Sequence, residues 1–289
     1  MPWAGPSGPR SVVSTLLERL RVHNLTLVAA GVAFYAFLAF VPGLIAFISI
    51  YGLVADPNDV KLQVHDVAAA LPKEVESFLT FQLSAIIKAG SASVSITLVV
   101  AVALALWSAS GGMAALITGI HVAHEQQQPK SFVAKRGKAL LLTFAAIVFL
   151  GVIVFLVAAM PPLLAQAGLG STGRTVLDVL RWPVLAVVMI AGIGALYRFA
   201  LRDGVRPRFG VVTPGAVVAM LGWLVVSALF AVYTANFSSY SKTYGTLATI
   251  VVLLLWLWLS SLLVLIGAEI DGATRVDDAR AAQSPRPTN

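Results

Sequence analysis

Two carboxylates near the end of the last apolar run, Glu269 and Asp271, are the most chemically loaded side chains in this chain. An acid within a segment of membrane-spanning length is costly and normally faces a cavity or a partner. Glu269 therefore has two readings. It binds a proton or cation as part of a transport cycle, or it is a helix-end carboxylate paired with a loop arginine such as Arg198 or Arg202. The pairing is the favoured reading. His121 and His124 precede Glu125, and His-x-x-His on a helix could form half of a metal site. No second pair matches it, since His23 and His65 lie elsewhere, so both read as interfacial histidines. No catalytic residue, metal ligand or bound cofactor is expected.

Two further groups carry polar chemistry. Asn236, Tyr240 and Tyr244 fall in a short connection, 234–245, with Gly245 opening the next helix. Such a segment gates a pathway if it dips into the bundle with its backbone satisfied. Otherwise it is a hydrogen-bonded turn with interfacial tyrosines. Tyr35, Pro42, Trp107, Ser108, Ser110, Gly111 and Gly112 would frame a mid-membrane pathway if the helices carrying them are interrupted. They would equally serve close packing, because Ala101, Ala105 and Ala109 form a small-residue stripe ending near Gly112. Packing is favoured. There is no cysteine, which excludes disulfides, thiolate nucleophiles and Cys-based metal sites. No phosphate-binding loop, dinucleotide fingerprint or G-x-S-x-G elbow occurs, so neither an ATP-driven pump nor a serine hydrolase has support.

The elements that must position these residues are apolar helices. Of the 289 residues, 58% are hydrophobic and 11% charged, and the mean hydropathy is +0.89. Soluble domains carry about a quarter charged residues. A span needs about 20 mostly apolar residues, and six stretches qualify: 27–54, 94–122, 139–160, 183–201, 211–233 and 246–269. The expected fold is all-α, a polytopic bundle of about six transmembrane helices. Pro42-Gly43 should kink the first. Residues 1–10 read as disordered, and 11–23 as a short amphipathic helix on the membrane surface. The long connection 55–93 reads as an amphipathic helical pair split at Pro72. Residues 271–289 read as a disordered polar tail.

Charge sets the orientation. Arg10, Arg19 and Arg21 precede the first span; Lys130, Lys135, Arg136 and Lys138 lie between the second and third. Arg198, Arg202, Arg206 and Arg208 lie between the fourth and fifth, and Arg275, Arg280 and Arg286 in the tail. Only Lys61, Lys73, Lys88, Arg174, Arg181 and Lys242 fall on the other side. The positive-inside bias then places both termini in the cytoplasm. Topology and anionic-lipid contact account for the net charge of +7 without nucleic acid.

Three segments carry a resemblance: LVAAGVAFYAFLAFVPGL, WSASGGMAALITGIHVAHE and the long stretch from Thr213 to Ile270 with its Asn-Phe-x-x-Tyr, Tyr-Gly and Gly-Ala-Glu elements. Together they resemble the YihY/BrkB family of bacterial inner-membrane proteins over roughly residues 15–272. The resemblance implies a six-helix, multi-pass inner-membrane protein. Members have carried the labels ribonuclease BN, virulence or serum-resistance factor, and transporter. Family members often place Asn or Asp soon after Gly-Ala-Glu; here Ile270-Asp271 follows.

The expected function is that of a transporter or exporter of a small solute, ion or lipid-like compound. The alternative is a non-catalytic envelope scaffold that binds partner proteins or lipids, for which the connection 55–93 argues. A ribonuclease would need clustered acids, a metal site or a paired acid and base. Glu18, Glu125 and Asp203 are scattered, so no enzymatic activity is expected.

Overall fold

The computed structural model of the protein describes residues 9–54, 90–126, 131–154, 156, 171–201, 210–235 and 246–283. Every element among them is helical: α1 (Pro9–Val22), α2 (Leu25–Val54), α3 (Gly90–Ala123), α4 (Phe132–Val154), α5 (Ser171–Ala200), α6 (Pro214–Ala235) and α7 (Thr246–Gln283). Helices satisfy their own backbone polar groups, which lipid cannot do. Among the described residues, five helices are long and apolar enough to cross a membrane, and α2 adds a further apolar helical stretch, Leu25–Phe40. Leu104, Trp107, Phe144, Leu150, Val225 and Leu229 point outward. A continuous apolar exterior of this kind suits lipid rather than water.

Pro42 lies within α2 and Pro183 within α5, and both helices continue past them. α5 begins at Ser171, well before the apolar run at 183, because hydropathy marks the lipid-embedded stretch and not where hydrogen bonding starts. α7 likewise does not end at Glu269. It runs to Gln283, through much of the tail expected to be disordered. That segment includes Ala273, Ala279, Ala281 and Ala282; alanine favours helix, and Gly272 is seated against the Ala123 backbone. The expected helical pair at 55–93 lies outside the described residues except for 90–93, which open α3.

Small residues set the packing. α2 packs most extensively on α3, and α7 lies against both α6 and α2. Tyr35 covers Gly111 and Gly112, where an added Cβ on Gly111 would come within 2.7 Å of the ring. Gly119 receives Leu265 and Val28. Gly215 and Gly267 bring the α6 and α7 backbones into direct contact, leaving no room for a side chain at either position. Trp258 Nε1 donates to the Thr26 carbonyl at 3.0 Å, and Trp223 Nε1 to Ser260 Oγ at 3.1 Å. The buried core, with Leu25, Ile120, Tyr197, Ala216 and Leu265, gathers toward the end where α1 joins.

Candidate functional site

The site is built at that end of the bundle, where five helix ends meet. Asn24 makes the corner between α1 and α2. Its φ of 51° is left-handed, a conformation asparagine tolerates better than most residues. Its carbonyl accepts from Leu27 and Val28, so it starts α2. The corner folds α1 back so that Arg19, Leu20 and His23 turn toward the core while Glu18, Arg21 and Val22 stay exposed.

α3 ends in a Schellman cap. Glu125 N–H donates to the Val122 carbonyl at 3.0 Å and Gln126 N–H to the His121 carbonyl at 2.9 Å. Glu125 holds φ at 52°, in the position where glycine is usual. The turn aims its carboxylate at Arg19, whose Nη2 donates to Oε1 at 2.6 Å. Arg19 Nη1 reaches Glu269 Oε2 at 3.4 Å. His23 Nδ1 hydrogen-bonds the other Glu269 oxygen. The Glu269 side chain is 0% exposed, against 57% for Glu125. A buried carboxylate must be paired, and α1 supplies both partners. The pairing with Arg198 expected from sequence is thus replaced by one with the N-terminal segment, while Arg202 lies outside the described residues.

Around this cluster, polar groups serve helix ends. Thr213 caps α6: its Oγ1 accepts from Ala216 N–H at 3.1 Å, and Pro214 occupies the first turn. Asp271 Oδ1 accepts from Gly215 N–H at 2.7 Å, placing a buried anion at the positive end of α6. Lys138 Nζ donates to the Ala200 and Leu201 carbonyls, both at 2.8 Å, closing the negative end of α5. His121, fully buried, shares the Ala200 carbonyl through Nε2 at 2.8 Å. A carbonyl only accepts, so Nε2 carries the proton. His124 Nδ1 meets the Ile120 carbonyl at 2.9 Å. Among the described residues no three His, Asp or Glu side chains gather as metal ligands would.

The other candidate residues lie elsewhere. Tyr35 is 40% exposed, with Phe34 edge-on at 5.7 Å. Pro42 and Ser108 are half-buried. Ser110 is fully buried and donates to the Trp107 carbonyl one turn back, at 2.8 Å. Trp107 stacks under Arg136 at 4.1 Å. Leu265, one turn before Glu269, touches Gly119, which lies about 13 Å along α3 from Ser110 by helical rise. Glu269 and the Tyr35–Ser110 region are therefore separate. Asn236, Tyr240 and Tyr244 lie outside the described residues. Sequence reasoning missed Arg19 and His23. Their signal was an i, i+4 pair of basic side chains on one face of a helix just before the first span.

This architecture, apolar helices wrapped outward with their polar groups paired at one end, is that of a multi-pass α-helical membrane protein. A family model described as virulence factor BrkB matches residues 16–289, and the chain belongs to that family. The matched region contains both Arg19 and His23. The chain is 30% identical over 271 residues to YfkH of Bacillus subtilis (strain 168), a protein named as ribonuclease-like, covering 90% of this chain and 94% of that one. It is 26% identical over 273 residues to a UPF0761 membrane protein of Delftia acidovorans, covering 90% of this chain and 61% of the relative. A UPF0761 membrane protein of Pseudoalteromonas translucida is 36% identical over 81 residues, 28% of this chain and 27% of its own. No solved structure matches.

Proposed function

We propose that the chain is a transporter or exporter of a small solute or lipid-like compound in a bacterial inner membrane, with the Arg19–Glu269 end facing the cytoplasm. The observation that carries this reading is Glu269, a fully buried carboxylate held by side chains of α1, the short helix that precedes the first span. Buried ion pairs are poor stabilisers, and apolar replacements are often as stable or more so. A charge kept at the seam between a peripheral helix and the bundle suits a contact that breaks and re-forms. Basic residues concentrated on the same side support the inward orientation, and anionic lipids would contact them. The Tyr35–Ser110 region and the connection with Asn236, Tyr240 and Tyr244 are the places where a solute pathway would be sought.

The name of YfkH raises ribonuclease activity. Here Glu125 and Glu269 both bind Arg19, and the acid–imidazole pair of Glu269 with His23 has its carboxylate fully shielded from solvent, which ill suits it to an RNA phosphodiester. We therefore favour a non-enzymatic protein. The test is flux. Purified protein in proteoliposomes is screened against inorganic ions, small organic solutes and fluorescent lipid analogues, with Glu269→Gln in parallel. Uptake above empty vesicles that falls in the variant supports the proposal. No flux from any class, with RNA cleaved by the same preparation, would sink it.

A further inference from the structure

We propose that His23 and Glu269 together form a proton-binding site, and that its occupancy controls the docking of α1. The inference deepens the transport reading, and rests on it, by naming the proton as the coupling ion. The hydrogen bond between His23 Nδ1 and Glu269 Oε1 requires a proton between the two atoms. The remaining Glu269 oxygen already faces the Arg19 guanidinium. A metal cation entering beside Glu269 would meet a carboxylate already engaged by two basic groups. A proton meets no such opposition.

The charge count favours the same ion. Among the described residues, the ionisable groups facing Glu269 are Arg19 and His23 from α1 and Glu125 from the end of α3. α2, packed beside them, contains no acid, lysine, arginine or histidine, and neither does α6. Asp271 is turned to the α6 N-terminus, and His121 and Lys138 to the end of α5. With His23 protonated, two cations balance two carboxylates. With His23 neutral, the cluster carries a net negative charge at a position where Glu269 is shielded from water. Imidazole is the side chain that changes charge between about pH 5 and 8.

Docked α1 therefore retains the proton. Its loss removes the positive partner and leaves a neutral Nδ1–H donating to the ionised Glu269, a weaker bond than the one between two charged groups. The sign follows: while Glu269 stays ionised, docking is strongest with His23 protonated and weakens as pH rises. Release of the proton loosens Arg19 and His23 together, since they lie one helical turn apart on one face. It would uncover Glu269 at this end of the bundle.

Because the chain has no cysteine, a spin-label pair can be introduced cleanly. Val22→Cys on α1 and Val179→Cys near the start of α5 are both exposed, at 68% and 65%. By helical rise Val179 lies about 32 Å along α5 from Ala200, which sits at the α1 end of the bundle, so the two sites are about one span apart. Electron–electron distances are measured on the full-length protein in lipid nanodiscs, without solute, from pH 5.5 to 8.5. The expected result is one narrow distance at low pH and a broad second population that grows about fivefold at high pH. His23→Gln keeps a neutral donor and should show the broad population at every pH. His124→Gln, the nearby control, should titrate like the parent. An invariant distance in the parent, a pH response that survives His23→Gln, or a shift on replacing choline by sodium at fixed pH would each overturn the proposal. Since no solute is present, a failed distance titration leaves the flux assay to judge transport separately.

Discussion

Replacing Glu125 with glycine should leave stability nearly unchanged even though it deletes a 2.6 Å ion pair. Glu125 sits at φ 52° in the cap that ends α3. An L-residue with a Cβ is held there at a cost of about 1–2 kcal/mol relative to glycine. Against this stands the pair with Arg19. Glu125 is 57% exposed, so solvent and salt reduce that pair to about 0–1 kcal/mol. Arg19 is not abandoned, because Glu269 remains within 3.4 Å. Glycine adds freedom to the unfolded chain, which takes back about 0.5–1 kcal/mol. The sum for Glu125→Gly is near zero or slightly stabilising. Glu125→Ala loses the pair and keeps the strained backbone, so it should lie below glycine by about 1 kcal/mol. With six tryptophans as reporters, thermal melts followed by intrinsic fluorescence in one detergent should rank glycine above alanine by roughly 2–3 °C. High salt should shrink the deficit of alanine against the parent but leave the glycine–alanine gap intact. If alanine equals or exceeds glycine, the left-handed cap is not what shapes this corner.

The remaining expectations concern the same end of the bundle. Glu269→Ala should lower stability by about 3 kcal/mol, because the Arg19 guanidinium loses its buried counter-charge and His23 its acceptor; adding Arg19→Met should recover part of the loss, and a double variant no better than the single one would argue against direct pairing. Gly267→Ala should cost about 1–3 kcal/mol and lower the yield of folded protein, since the new methyl meets the Gly215 backbone and the Tyr197 hydroxyl. Gly111→Ala should be milder, because only a movable tyrosine ring opposes it, and equal melts for the two glycine variants would contradict the close backbone contact. Tyr197→Phe should cost about 1 kcal/mol by removing the 2.5 Å bond from its hydroxyl to the Val264 carbonyl; an unchanged melting temperature would mean that bond contributes nothing.

How much of this was legible without coordinates depended on the kind of signal. The spans at 94–122 and 211–233 fall inside or close to α3 and α6, because apolar length is a local property that each segment carries by itself. The resemblance to the BrkB family was carried by motifs that do not need a fold to be read, and the family model agrees with it. Helix ends were less legible. Ser171 and Gln283 lie well outside the apolar runs, where hydropathy is silent and only hydrogen bonding marks the limit. Glu269 stood out as a costly charge, yet its partners did not. Arg19 is 250 positions away in the chain, and it looked like an ordinary surface arginine on an amphipathic helix.

The sequence alone therefore determined that the chain is helical and membrane-embedded, and it also singled out the two acids, Glu269 and Asp271, that need explaining. Lipid imposes those features segment by segment, through the price of exposing peptide groups to hydrocarbon. Tertiary structure alone decided that α1 folds back at Asn24, that Glu125 turns left-handed to meet Arg19, and that Glu269 is shared between Arg19 and His23. Pairing across the bundle depends on which helix ends arrive at the same place. That is settled by glycine and alanine contacts such as Gly215 on Gly267, whose closeness no single segment encodes.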